Sequence, residues 1–347
     1  MKATKQPVTM SDLAARLRLS TMSVSRALRN AAGVSARTRK RVVDLAQQLN
    51  YRPDPALSVL NKYRHGLREV EISERIAFVT NFPTANSWRN VVTFVRFFDG
   101  VSRRARQLGY EIEPFWLGSP GLSPQRASNI LHGRGIRGIV VGPLMQGNST
   151  LQLNWDLFST VALGRSLETP KLSTVSPNHY QAVELACREV CRRGYTRIGF
   201  VVTMGDEART AGAPRAAFCM QQERFSGPAI PPLVVPQFSA EAVVAWVLKH
   251  RPEVVLSSEQ THYELLRGAL GRKADAIPFV HLNIDPASEM CGIDQGHDVV
   301  GEQAAALLHL KLLQRETGVP SHRDILFVDC AWVEGKGRWS LPRPRTP

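Results

Sequence analysis

No paired cysteine motif, no long apolar run and no phosphate-cradling glycine loop occurs in these 347 residues, and each absence removes a class of protein. The five cysteines (Cys187, Cys191, Cys219, Cys291, Cys330) are odd in number and show no C-x-x-C spacing. Neither a disulfide framework nor a zinc site is expected, and no metal or cofactor is assigned. Cys187 and Cys191 stand one helical turn apart, a spacing that more often fills a core than binds metal. No stretch approaches the roughly 18 apolar residues that cross a bilayer, and Met1 to Val8 lacks an apolar h-region. A cytoplasmic chain with no membrane partner is the expectation. No G-x-G-x-x-G follows a strand, and there is no P-loop, H-E-x-x-H or nucleophile elbow, so a non-enzyme without catalytic residues is expected. An enzyme on a doubly wound fold and a solute-binding protein are the classes that these absences weigh against.

Acidic residues are scarce in one place. Residues 1–64 hold 13 basic and 3 acidic side chains, +10 of the chain's +14, which leaves +4 for all the rest. A short basic end on a nearly balanced body points to a polyanion, nucleic acid or an anionic membrane.

The residues inside that end favour nucleic acid. Thr9 and Asp12 form a T-x-x-D capping box before Leu13, Ala14 and Leu17, which share one helix face. After a turn at Arg18 and Leu19, Ser20 caps a second helix, Thr21 to Leu28, with Val24, Ala27 and Leu28 inward and Thr21, Met22, Ser25, Arg26 and Arg29 outward. Ser35 caps a third, whose stripe is Val42, Leu45, Ala46 and Leu49. Three short helices with a tight first turn make a helix-turn-helix bundle. Arg26 can pair with guanine and Met22 can touch a thymine methyl, while hydroxyls at helix starts suit phosphates.

Three runs carry a family resemblance: V-T-x-x-D-x-A-x-x-x-x-x-S-x-x-x-V-S-R-x-L (Val8 to Leu28), V-S-x-x-T-R-x-x-V (Val34 to Val42) and L-N-Y-x-P (Leu49 to Pro53). The chain resembles the lactose-repressor (LacI/GalR) family of bacterial transcription regulators. The resemblance implies that Thr21, Met22 and Arg26 read base edges and that Thr9, Ser20, Ser25, Ser35, Thr38 and Tyr51 touch the backbone. Arg18 stands where the family often has a turn Gly, and Arg29 replaces a usual Asn and can add a phosphate contact. Asp54 and Pro55 begin a hinge helix in which Leu60 matches the family's minor-groove Leu, although Leu57-Ser58 replaces Ala-Arg. A linker helix packed on its own core is the alternative.

From Arg75 short β-branched runs alternate with helices, the pattern of parallel sheets built from βαβ units. The expected fold is α/β: a three-helix helix-turn-helix domain over 1–53, a hinge and linker over 54–74, and a two-lobed, doubly wound core over 75–335 that resembles a periplasmic binding protein. Lobe 1 takes 75–176 and 296–322, lobe 2 takes 177–295 and 323–335, and 336–347 is a basic tail. The crossings are expected near Pro177, Gln295 and Arg323. Ligands in such folds sit at the carboxyl ends of strands. That assigns Asn81, Phe82, Thr84 and Trp88 to one wall of an effector cleft and Arg209, Ser258, Glu259, Asn283 and Gln295 to the other. Arg209 with Gly212 fits the family's R-x-x-G effector motif, against a surface ion pair as the alternative, and Trp88 either stacks on a ligand or packs. Asn283, Ser258-Glu259 and His281 depart from the usual sugar-binding Asp, Asn-Asp and Gly. The reading is a homodimeric repressor on a pseudo-palindromic double-stranded operator, controlled by a small molecule, possible sugars included.

Overall fold

The computed structural model describes residues 10–28, 34–49, 74–237, 239–258, 261–271, 277–337 and Leu341; of Ser11, Ser25, Gln47, Thr261, His262, Leu266 and Leu270 it describes the backbone alone. The chain divides into two units, 1–72 and 73–347, each taken by itself below.

The first unit is three helices, α1 (Met10–Leu17), α2 (Thr21–Leu28) and α3 (Ala36–Gln48). Leu13, Ala14, Val24, Ala27, Val42 and Ala46 are its buried centre, with Leu17, Leu28, Leu45 and Leu49 packed around them. These are the stripes expected from the 3.6-residue period. The turn after α1 needs a left-handed residue, and Arg18 supplies it with φ 53°. The Leu19 N–H donates to the Ala14 carbonyl at 3.0 Å and the Arg18 N–H to Ala15 at 3.3 Å, which closes the helix end as a Schellman motif.

The second unit holds two six-stranded sheets. The first runs β13-β7-β5-β3-β1-β2, all parallel, from β1 (Glu74–Thr80), β2 (Tyr110–Trp116), β3 (Gly138–Val141), β5 (Ser159–Leu163), β7 (Thr174–Pro177) and β13 (Ile325–Val328). The second runs β14-β12-β11-β10-β8-β9, from β8 (Ile198–Thr203), β9 (Leu233–Val235), β10 (Val254–Ser257), β11 (Phe279–His281), β12 (Gly292–Asp294) and β14 (Ala331–Val333), the last antiparallel. A small pair, β4 (Ser149–Thr150) and β6 (Leu167–Thr169), stands apart. The central strands are buried on both faces, as a parallel sheet between helix layers demands.

In lobe 1, α4 (Val92–Gln107) and α11 (His297–Gln314) cover one face of the sheet and α5 (Pro124–Gly133) the other. In lobe 2, α6 (His179–Arg192) and α8 (Ala213–Gln222) cover one face, α9 (Ala240–His250) and α10 (Thr261–Leu270) the other. Ala211 and Gly212, both left-handed with φ 54° and 70°, divide α7 (Met204–Thr210) from α8. Strand β13 pairs with β7 in the first sheet, so the third crossing lies at Asp329-Cys330 and not near Arg323. The first and third crossings are bonded together: the Asn178 N–H donates to the Val328 carbonyl at 2.8 Å, Asn178 Nδ2 to Asp329 Oδ1 at 3.0 Å, and the Cys330 N–H to Gln181 Oε1 at 2.9 Å.

Candidate functional site

The helix-turn-helix presents an outer face of named composition. Thr21 and Arg26 are exposed and Met22 is 63% exposed. Ser20 Oγ accepts the Ser23 N–H at 3.1 Å and Ser35 Oγ the Thr38 N–H at 3.2 Å, so both are helix caps and both are exposed. Thr38 is half-buried and its hydroxyl lies 2.9 Å from that of Ser35. Thr9, Arg29, Tyr51, Leu60, the side chain of Ser25 and the expected hinge helix lie outside the described residues.

The second unit has two switch points, where strand order reverses, between β1 and β3 and between β8 and β10. Around the second, the buried Asp206 is held by Thr203 Oγ1 at 2.9 Å and by Ser258 Oγ at 2.7 Å, both donating to Oδ2. Thr203 caps α7, its Oγ1 accepting the Asp206 N–H at 3.1 Å, a T-x-x-D spacing that the sequence itself carries. Arg209 follows on α7, half-buried. Lobe 1 touches lobe 2 here: a Cβ added at Gly147 would lie 2.3 Å from the Ala208 carbonyl carbon and 2.6 Å from the Arg209 nitrogen.

Closer to the crossings, Asn283 Nδ2 donates to Thr93 Oγ1 of lobe 1 at 3.4 Å, and Gln295 Nε2 to the Leu282 carbonyl at 2.6 Å. Arg96 on α4 bonds Asp294 and Asp298, each at 2.9 Å. Two histidines that begin helices complete the region. His297 is 2% exposed, with its ring edge-on to Phe97 at 4.7 Å and Nδ1 without a hydrogen-bond partner. Burial, then the positive charge of Arg96 and the nearness of His179, push its pKa down to about 3. Burial, then Arg209 and Arg165, push His179 down to about 4.

The other wall differs from expectation. Phe82 and Trp88 are core residues: Phe82 meets Phe94 edge-on at 5.0 Å, and Trp88, 1% exposed, packs on Phe98 at 5.0 Å with Arg89 4.4 Å above its ring. Packing is thus the alternative that holds for Trp88. Thr84 is exposed, and its N–H donates to Ser87 Oγ at 3.3 Å. Asn81 lines a pocket of about 300 Å³ with Leu117, Leu122, Ala127 and Leu151, all of lobe 1. Glu259 lies outside the described residues. The structure therefore brings Arg209, Ser258, Asn283 and Gln295 to the interlobe region and adds Asp206, Thr93, Arg96, His179 and His297.

The two histidines set a pH dependence. Their ordinary value is 6.5, so on acidification the unfolded chain takes up protons that the folded chain refuses, and stability falls between pH 6.5 and about 4. Asp298, Glu189 and Glu253 work lower: burial acts to raise them, but hydrogen bonds from Arg96, Arg193 and Thr196 leave them below their ordinary 3.8 to 4.5. The charges that face the histidines are Arg96, Arg165, Arg209, Asp206 and Asp298. Urea unfolding followed by tryptophan fluorescence reads the second unit alone, because all six tryptophans lie between 88 and 339. His297 is expected to contribute a slope of about 1.4 kcal/mol per pH unit, His179 less because it is partly exposed. His297→Gln should remove its share; an unchanged slope would show that His297 titrates normally.

Comparison with known proteins agrees with this architecture. The family model of bacterial regulatory proteins of the lacI family matches residues 9–54. An HTH-type transcriptional regulator, IpsA, of Corynebacterium glutamicum is 22% identical over 63% of this chain and 61% of its own length. An HTH-type transcriptional regulator of Mycolicibacterium smegmatis is 24% identical over the same shares. The alignments thus span about 61% of each curated relative. Among solved structures, the lac repressor dimer bound to operator and the anti-inducer ONPF superposes with a TM-score of 0.52 at 16% identity, covering 95% of this chain and 98% of that one. A LacI-family regulator from Rhizobium etli gives 0.57 at 18%, covering 76% and 98%. The CelR–cellobiose complex gives 0.51 at 17%, covering 94% and 98%. The helix-turn-helix over residues 9–54 is thus that of the lacI family of bacterial regulatory proteins, and the body shares the fold of solved regulators of that family.

Proposed function

We propose that this chain is a cytoplasmic, homodimeric repressor of transcription that binds a pseudo-palindromic operator and is controlled by a small molecule in the interlobe cleft, with no catalytic role. The observation that carries the reading is the outer face of α2, where Thr21, Met22 and Arg26 stand exposed on a helix held by the family's own bundle. A helix of that size enters the major groove, and one such helix reads a half-site, so two-fold protein symmetry answers two-fold DNA symmetry. The lac repressor was solved as a dimer on operator and CelR with cellobiose, which supports both halves of the proposal by analogy. Coupling requires that the small molecule bind the open and closed arrangements of the lobes unequally.

The test starts from duplexes selected out of a random pool. Arg26→Ala is expected to lower the ratio of selected to scrambled affinity by about 1 to 3 kcal/mol, while residual binding keeps a steep salt dependence from phosphate contacts. If the ratio were unchanged, Arg26 would not read a base.

A further inference from the structure

We infer that the controlling molecule is an oxyanion, a small compound bearing a carboxylate or a phosphoryl group, held at the crossing end of the cleft by Arg165 and Arg209 with His179 and His297 beside them. The inference rests on the reading above that the cleft takes a small molecule, and it deepens that reading by naming the molecule's charge.

The four residues come from four places in the chain. Arg165 lies just past the carboxyl end of β5, His179 just past β7, Arg209 on the helix after β8, and His297 just past β12. The loop after β3 ties the arginines to one place: the Leu144 N–H donates to Ser166 Oγ and the Ser149 N–H to the Ser166 carbonyl, each at 2.9 Å, and the loop so anchored beside Arg165 sets Gly147 against the Arg209 nitrogen. The charges of both arginines act on His179, and those of Arg209 and Arg96 on His297.

The positive charges of this cluster are not all paired. Arg96 is engaged by Asp294 and by Asp298, the second shared with Arg103. Among the described residues neither Arg165 nor Arg209 forms an ion pair, although both are half-buried. Glu168, which Arg165 also influences, is engaged with Lys171. The acid within reach is Asp206, and its Oδ2 already accepts two hydroxyls. Two guanidinium groups therefore face one carboxylate. Closing the lobes over a neutral sugar would strip water from a charge that nothing compensates, which is costly in a low-dielectric site. An oxyanion supplies the missing charge and accepts the fork of an arginine in a bidentate way.

The histidines fit this role as neutral donors. His297 Nδ1 is fully enclosed and without a partner, the condition of a group that waits for a ligand atom or a water. Neutral imidazole donates one N–H without adding a charge that would compete with the arginines. His179 and His297 are also the first residues of α6 and α11, helices of 14 and 18 residues, so the positive ends of two helices open on the same cluster.

The test uses the full chain and three hexose derivatives that differ in charge: glucose, gluconate and glucose 6-phosphate, with inorganic phosphate as a fourth probe. Thermal unfolding is read by tryptophan fluorescence, which follows the second unit only. At least one of the anions is expected to raise the melting temperature where glucose does not, and gluconate against the phosphates tells a carboxylate site from a phosphoryl site. Arg165→Gln and Arg209→Gln should each weaken that anion roughly tenfold or more, while Arg165→Lys, which keeps the charge, retains part of the shift. A shift with glucose alone would overturn the anion assignment and leave the small-molecule reading standing. Shifts that persist equally in both glutamine variants would place the anion elsewhere and overturn the assignment. No shift with any anion would overturn it as well. Arg26→Ala tests DNA reading separately, so failure of one claim is not mistaken for failure of the other.

Discussion

Replacing Gly301 with alanine is expected to lower the melting temperature of the second unit by roughly 6 to 12 °C, from about 3 kcal/mol of lost stability at the 2 to 4 °C per kcal/mol of domains this large. The reason is a reciprocal contact between α4 and α11. A Cβ at Gly301 would stand 2.3 Å from the Phe97 carbonyl oxygen, and one at Gly100 would stand 1.9 Å from that of Asp298. Both obstacles are backbone, which cannot rotate away as a side-chain tip can. The helices must part, and Phe97, Val101, Val300 and Ala304, all buried between them and the sheet, lose contact together. Helix propensity pulls the other way, since alanine is favoured over glycine inside a helix by about 1 kcal/mol. A net loss therefore measures packing against propensity. Gly268→Ala on α10 has nothing within 4 Å and should raise stability by about 0.5 to 1 kcal/mol. If Gly301→Ala and Gly268→Ala moved the melting temperature alike, the close approach of the two helices would be wrong.

The second large effect is expected at Gly147, and it is functional. Gly147→Val should weaken small-molecule binding by roughly 10- to 100-fold, because about 1 to 3 kcal/mol of overpacking falls on the shut arrangement of the lobes alone. Gly147 needs no unusual backbone angle; its lack of a side chain lets the loop from lobe 1 lie against Ala208 and the Arg209 nitrogen. A valine there can be relieved by parting the lobes, so the melting temperature should change far less than with Gly301→Ala. Solution scattering should report a larger radius of gyration for the unliganded variant, and the best-binding probe should report the lost affinity. Gly205→Ala on the same helix, whose nearest neighbour would be Thr203 Oγ1 at 3.7 Å, is the matched control. Wild-type scattering and affinity in Gly147→Val would exclude a shut contact at this point.

The DNA-reading unit was legible because its signals are local. Ser20 and Ser35 cap the helices that follow them, and the apolar stripes close on one centre, so each boundary is written within a few residues of where it acts. Strands β1 and β8 are legible as apolar runs, Ile76-Ala-Phe-Val79 and Ile198-Gly-Phe-Val-Val202. Strands β7 and β12, four and three residues long, were not, because Thr174-Val-Ser-Pro177 and Gly292-Ile-Asp294 become strands through the neighbours they pair with. The break at Ala211-Gly212 had a signal in Pro214, which stands in the first turn of the next helix and was passed over. In the interlobe region, Arg209, Ser258, Asn283 and Gln295 lie where their nearness in sequence to strand ends puts them. The cluster of Arg165, His179, Arg209 and His297 is not legible in this way, since 132 positions separate its first and last members and only the crossings bring them together. Phe82 and Trp88 were misplaced for a different reason: aromatic character does not tell a stacking surface from a core.

Arg96 gives the cleft its mechanics. Asp294 and Asp298 sit on either side of the second crossing, at Gln295-Gly296, and one guanidinium holds both. That strand is thereby riveted to α4, and a rotation of the lobes that spares these bonds has its axis close to Arg96. A door hung this way moves little at its pin and most at its free edge. A few degrees of swing about such a pin is a small shift beside Arg96 and a wide displacement at the rim of the lobes.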